Sequence, residues 1–242
     1  TDCGPDHMLR VNDNPNNQAF PYKFINIHAN NSAEAVWLEA WAVQAMGMKK
    51  LLLVTVLMAG GLWQYDQNRV IEQADGVIAA AEPLQQNVSN APAFRHADYS
   101  ITPLANFAIE ARVLSRKKYT LGREAALSPL DLALGWGPMS DNLVLDKIDI
   151  SQGNRFYYWR GEQVSIPQRE IIRHSSNMHM IPADKQVAEQ LAGIREGNLV
   201  ALTGQLVKIK ADDGWHWQSS LSRTDTGNGA CELMWVKAVS VL

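Results

Sequence analysis

One cysteine stands in a sequence context that could support nucleophilic chemistry. Cys231 follows the glycine-rich segment 226–230 (TGNGA) and precedes a predicted strand. Backbone N–H groups exposed in such a turn lower the pKa of a thiol and can stabilise an oxyanion. A histidine within hydrogen-bond reach would act as the base, and the candidates are His174, His179 and His216. One interpretation is therefore a Cys231-dependent enzyme that acts on an acyl or thiol substrate with a histidine base.

Structural roles are the competing interpretation of the same residues. Free cysteine is among the most often buried residue types, and a lone cysteine with scattered histidines is a weak catalytic pattern. A metal site that adds Asp225 to Cys231 and the histidines is disfavoured, because the odd spacing of His174 and His179 places them on opposite faces of a strand. The sequence has no phosphate-binding glycine loop, GxSxG or HExxH motif. The sequence predicts no metal and no cofactor, and it favours a protein that is not an enzyme.

Three tryptophans and one ion pair are candidate binding residues. Trp215 and Trp217 share one face of a predicted strand, where they would form a platform for peptide or glycan if exposed and part of the core if buried. The polar residues between and after them favour the core interpretation. Arg223 and Asp225 form either a local surface salt bridge or an anion site. Trp136, between two glycines, either fills the core or lines a groove.

The amino-acid composition excludes several classes of protein. The chain has 242 residues, a hydrophobic content of 46%, a charged content of 19% and two cysteines. These values exclude a disordered tail, a collagen and a disulfide-rich scaffold. The formal net charge of -3 lacks the basic surplus of nucleic-acid binders, so we expect no nucleic-acid partner.

A signal-like segment lies inside the chain. Met48, Lys49 and Lys50 precede the apolar run 51–63 (LLLVTVLMAGGLW), which is how a secretory signal begins. We therefore expect Met48 to be the natural start and residues 1–47 to be upstream translation. The alternative is a genuine N-terminal extension, in which an apolar helix over 32–46 is capped by its first serine.

The same segment is expected to remain as a membrane anchor. No small-residue cleavage site follows the run, and Trp63 and Tyr65 would lie at the far interface while the lysines hold the near end. Residues 48–66 are thus a predicted signal anchor that contacts the membrane through 51–65. The bulk of the chain would face the periplasm from the inner membrane, and secretion after cleavage is the alternative.

The remaining elements predict a small α+β domain. Residues 67–97 are interpreted as a helix and polar spacer, and residues 98–242 as the globular domain. Gly204 predicts a bulge or sharp bend in an otherwise alternating strand. These elements predict a strongly coiled antiparallel sheet or a partly open barrel of OB or SH3-like type, with short helices. The predicted elements are strands at 106–113, 155–160, 199–210, 215–221 and 232–241, and helices that begin after Ser128 and Asp184.

Three segments resemble a family of uncharacterised bacterial proteins with an N-terminal membrane anchor. They are SPLDLALGWGPMSD (128–141), SSNMHMIPAD (175–184) and GWHWQSSLSRTDTGNGACELMWV (214–236). The resemblance extends from Met48 to Leu242 and implies location in the cell envelope. It assigns no activity and no role to any residue.

Together these observations predict a non-catalytic envelope protein. Its membrane-anchored domain would bind an envelope protein, a peptide or a glycan, with the Cys231-dependent enzyme as the alternative.

Overall fold

The computed structural model describes residues 48–222 and 231–242. The chain divides into two compact units, with the boundary between Arg69 and Val70. The described part of the first unit is one helix, α1 (Met48–Asn68). The second unit contains the rest of the described residues and holds all of the strands in them.

Helix α1 contains the apolar run that the sequence analysis interpreted as an anchor. No helix within residues 48–222 and 231–242 is both long enough and apolar enough to cross a membrane. The anchor therefore stays a prediction. The predicted continuation of this helix to Ala81 is wrong, because α1 ends at Asn68 and residues 69–83 are not helical.

An extended strap, residues 70–83, replaces the predicted helix and belongs to the second unit. The N–H of Ile71 donates to the carbonyl of Glu196 at 2.8 Å. The N–H of Ala79 donates to the hydroxyl oxygen of Ser140 at 3.1 Å, and Ala79 is buried. Since acceptors distant in sequence satisfy the strap's backbone, the compact unit begins at residue 70 and not near residue 98.

Most of the regular structure in the second unit is strand, which confirms the predicted α+β class. The helices are short: α2 (Arg123–Leu127), α3 (Asn142–Leu145), α4 (Gln168–Arg173) and α5 (Lys185–Gly193), with a 3₁₀ turn at Gly137–Ser140. The strands are β1 (Leu84–Asn87), β2 (Phe94–His96), β3 (Tyr99–Lys118), β4 (Leu130–Gly135), β5 (Ile148–Gly153), β6 (Phe156–Gly161), β7 (Ser175–Pro182), β8 (Leu199–Ala211), β9 (His216–Gln218) and β10 (Glu232–Val241).

The long strand β3 organises the main sheet because it pairs on both sides. It is antiparallel to both of its neighbours, β4 and β8. On the far side of β4 lies the antiparallel strand β7. The last strand, β10, pairs with β7 in parallel and with β8 in antiparallel orientation. Register shifts near Pro103 and Val113 interrupt β3, as expected where a 20-residue strand bends. β1 and β2 add to β3, and β9 adds to β8, so the sheet is not a clean barrel. β5 and β6 form a separate hairpin.

The main core lies between this sheet and α5. Asp184 caps α5 through a 2.9 Å bond from the N–H of Val187, as the sequence predicts. Val187, Leu191 and Ile194 are buried among side chains of β3, β4, β7, β8 and β10. The amphipathic pattern of this helix therefore identifies its buried face.

The helix predicted after Ser128 is instead strand β4. All six residues of β4 are buried, and the strand is covered on both faces. A strand buried on both sides shows a continuous apolar run instead of alternation, which makes it resemble a short helix in sequence. The predicted bulge at Gly204 lies instead in the partner strand, where the register shifts between Val236 and Ala238 of β10. Gly204 is opposite Val236, and a Cβ atom there would meet the carbonyl oxygen of Trp235 at 2.0 Å.

Candidate functional site

Two buried polar residues face each other across neighbouring strands on the outer side of the sheet. Asp131 of β4 is directly opposite His179 of β7 in the antiparallel register. Both side chains are fully buried, and Nδ1 of His179 lies 3.0 Å from Oδ1 of Asp131. Oδ2 of Asp131 has no hydrogen-bond partner among the described residues. A buried carboxylate with one oxygen unsatisfied is costly, so this position needs other interactions to maintain it.

Arg155 supplies the strongest of those interactions. Its Nη1 donates to Oδ1 of Asp131 at 2.6 Å and to the carbonyl of Ser128 at 3.0 Å. The guanidinium also lies 3.8 Å from the centre of the Tyr119 ring. Because the carboxylate is fully buried and the arginine is mostly buried, this ion pair is far less screened by solvent than a surface pair.

Arg155 sits in a strained turn at the tip of the β5–β6 hairpin. Asn154 and Arg155 have φ angles of 50° and 69°, the left-handed region that favours glycine and asparagine. Such a conformation persists where surrounding contacts impose it. Here the N–H of Arg155 donates to the Tyr119 hydroxyl at 3.0 Å, and its carbonyl accepts from the Asn177 amide at 2.8 Å. The hairpin tip is therefore fastened to the main sheet through one residue.

Burial raises the pKa of Tyr119, and the hydrogen bond from the Arg155 backbone acts in the opposite direction. The phenol therefore remains neutral at physiological pH. A neutral hydroxyl can accept the N–H of Arg155 while the ring below it contacts the guanidinium.

Aromatic side chains continue from the buried cluster towards the surface. The ring of Trp217 is buried, with its centre 4.8 Å from that of His179. Trp215 is half-buried and lies 6.2 Å from Trp217, with Tyr99 5.8 Å away on its other side. The guanidinium of Arg123 lies 5.3 Å from the centre of the Trp215 ring. We call Asp131, His179, Arg155, Tyr119, Arg123, Trp215 and Trp217 together the aromatic face.

Cys231 borders the aromatic face. Its side chain is buried, and Sγ lies 3.9 Å from the carbonyl oxygen of Arg155. Leu233 is directly opposite His179 in the parallel register, so Cys231, two positions earlier, points to the same side of the sheet as His179. The structure thus brings Cys231, His179 and Trp217 to one region.

The other predicted site residues lie elsewhere. His174, at the end of α4, has Nε2 3.2 Å from Oε1 of Glu82, and the buried Trp136 donates from Nε1 to Oε2 of the same carboxylate at 3.0 Å. His174 precedes His179 by five positions, which is about 16 Å along an extended chain. His216 is exposed on β9.

Arg223 and Asp225 lie outside the described residues. Within the described ranges, no group of three or more histidine, cysteine, aspartate or glutamate side chains is arranged to hold a metal ion.

Sequence reasoning missed the central ion pair. The helix predicted after Ser128 would place Asp131 in its first turn, although a single aspartate within the apolar segment LDLALG also fits a buried, paired carboxylate. Gly153-Asn154 before an aromatic run indicates a hairpin turn and could have placed Arg155 at its tip.

Comparisons of this chain with protein-family models, with curated proteins and with solved structures give no match. The resemblance to membrane-anchored bacterial proteins accordingly stays a prediction. The role of the aromatic face has to be argued from its own geometry.

The buried ion pair predicts a large stability difference between two aspartates. Replacing Asp131 by Asn should lower the free energy of unfolding by about 3 kcal/mol, because it leaves the buried guanidinium of Arg155 uncompensated. The matched control is Asp212→Asn, which breaks the exposed pair with Arg95 (side chains 81% and 55% exposed) and should cost less than about 1 kcal/mol. Urea denaturation of the full chain measures both. Equal losses in the two variants would contradict the assignment of Arg155–Asp131 as the dominant ion pair.

Proposed function

We propose that this protein is a non-catalytic, membrane-anchored envelope protein whose main domain has OB-like topology and binds a ligand on the aromatic face. The pairing order β3–β4–β7–β10–β8, which returns to β3, supports the topology. So does the position of α5 in the connection between β7 and β8. OB domains are five-stranded, partly open Greek-key barrels. Because a fold alone does not give a function, the ligand site requires its own argument.

One observation carries the proposal: the aromatic face occupies the region where OB domains bind ligands. In that architecture the second and third strands and the loops after the first and fourth strands form the binding surface. The corresponding strands here are β4 and β7, which contribute Asp131 and His179. The corresponding connections are residues 119–129 and, within the described part of the chain, residues 212–222. They contribute Tyr119 and Arg123, and Trp215 and Trp217, respectively.

The chemistry of the aromatic face favours a neutral glycan. Its two arginines are already compensated, Arg155 by Asp131 and Arg123 by Asp213, whose Oδ1 lies 3.2 Å from Nη1 of Arg123. The face therefore offers no excess charge for an anionic polymer. Half-buried aromatic rings such as Trp215 can pack against the apolar face of a sugar ring, while the surrounding polar groups bond its hydroxyls.

The first test measures binding of chitotetraose to the full chain by saturation-transfer NMR. We expect saturable binding that weakens about tenfold, or about 1.4 kcal/mol, when Trp215 is replaced by Ala. Leu143→Ala, which truncates an exposed apolar residue on α3, is the control and should leave the affinity unchanged. Absence of binding, or equal affinity of the wild type and Trp215→Ala, contradicts the glycan proposal. Binding of a peptidoglycan stem peptide instead would reassign the ligand to a peptide.

The proposed location is supported by the lysine pair and apolar run at the start of α1. Alkaline phosphatase fused after Leu242 should be active in a bacterial host and should fractionate with membranes, since this enzyme acquires its disulfides outside the cytoplasm. Deleting residues 51–63 should abolish both properties. An inactive fusion of the intact chain, recovered with the soluble cytoplasmic proteins, would overturn the location.

Catalysis through Cys231 is the second candidate function, and the shared side of Cys231 and His179 on β10 and β7 favours it. The rate of iodoacetamide alkylation against pH tests it, in a Cys3→Ser background so that Cys231 is the only thiol in the chain. An apparent pKa well below the ordinary ~8.5 would indicate an activated thiolate. A thiol that reacts only after unfolding would make Cys231 structural.

A further inference from the structure

A second concave site lies apart from the aromatic face. It is a cavity of about 150 Å³ between the end of β3, the strand β5, the helix α3 and the turn that precedes β8. Its walls are mainly aliphatic, and two charged side chains, Arg112 and Glu196, also line it. We call it the Arg112 pocket. Its aliphatic walls include Leu114, Leu145, Ile148 and Ile150.

Arg112 is the unusual member of this pocket. The residue is only 8% exposed, yet among the described residues no carboxylate lies within 4.0 Å of its guanidinium. Nη1 makes the hydrogen bonds that the side chain has, to the carbonyl of Ser140 at 3.3 Å and to the amide oxygen of Asn142. A guanidinium has five N–H donors, so the two bonds of Nη1 leave further donors on Nε and Nη2.

A buried cation without a paired anion is costly. Burial lowers the pKa of Arg112, and the more distant carboxylates of Asp146 and Asp141 oppose that shift. The arginine nevertheless stays charged at physiological pH. Arg155 shows how the same chain treats another largely buried arginine, because there Asp131 directly accepts from the guanidinium. The anion missing beside Arg112 can come from a ligand.

The surroundings of Arg112 select the type of anion. The carboxylates of Asp141 and Asp146, which act on Arg112 from a distance, would repel a multiply charged group such as phosphate more strongly than a monoanion. A single carboxylate matches the planar, bidentate geometry of one guanidinium. Burial raises the pKa of Glu196, which also lines the pocket, and the charge of Arg116 opposes that shift.

We propose that the Arg112 pocket binds a monocarboxylate with a short aliphatic tail. The carboxylate accepts from Nε and Nη2 of Arg112, and the tail packs against Leu114, Ile148 and Ile150. A free short-chain fatty acid and the carboxyl terminus of an apolar peptide share this chemistry. The inference is independent of any ligand on the aromatic face, because the two sites have no residue in common.

Calorimetric titration of the full chain with hexanoate, N-acetyl-leucine and hexylamine tests this proposal. We expect one or both carboxylates to bind and hexylamine, which has the same tail length as hexanoate but the opposite charge, not to bind. Replacing Arg112 by Gln should weaken carboxylate binding at least tenfold. The matched control is Arg95→Gln, which removes an exposed arginine and should leave binding unchanged.

A second variant covers the case in which Arg112→Gln does not fold. Ile150→Trp places a larger side chain in the pocket, keeps the guanidinium and should block both carboxylates. Binding of hexanoate alone would identify a fatty acid, and binding of N-acetyl-leucine alone a peptide carboxyl terminus. No binding of either, equal binding of hexylamine, or undiminished binding by Ile150→Trp would overturn the proposal.

Discussion

The ion pair between Arg155 and Asp131 is the constraint on which the outer side of the sheet depends. It joins the tip of the β5–β6 hairpin to a fully buried position of β4. Removing two charges from water is costly, so the pair is maintained by its additional bonds: the Ser128 carbonyl, the Tyr119 ring and the polar contacts of the Arg155 backbone. The left-handed conformation of Arg155 adds to that cost. The position thus combines strain, burial and charge, a combination that favours a functional surface over a simple structural contact.

This arrangement supports the proposed binding role of the aromatic face over catalysis. Asp131 and His179 are fully buried and pack beneath Trp217, so they support the face from below. The accessible part consists of Trp215 and the arginine above its ring. Groups that remain rigid and charge-compensated can orient a ligand with little entropic cost, whereas a general base must reach the proton that it removes.

The sequence predicts the structure correctly where that structure depends on residues close together in the chain. The cap of α5 by Asp184 follows from residue type and spacing alone. The ion pair does not, since Arg155 and Asp131 are 24 positions apart and meet only after β5 and β6 have formed a hairpin. The strap was missed for the same reason: its hydrogen-bond acceptors, such as Ser140, lie some 60 residues further along the chain. Strand β4 shows a different limit, because burial on both faces removes the alternation that identifies strands.

The two largely buried arginines, Arg155 and Arg112, differ in how their charge is compensated. Arg155 meets a carboxylate of its own chain, and the pair closes one side of the molecule. Arg112 bonds directly to neutral oxygens, and the carboxylates of Asp141 and Asp146 that offset its charge act from a greater distance. This difference supports the ligand site proposed at the Arg112 pocket, which shares no residue with the aromatic face.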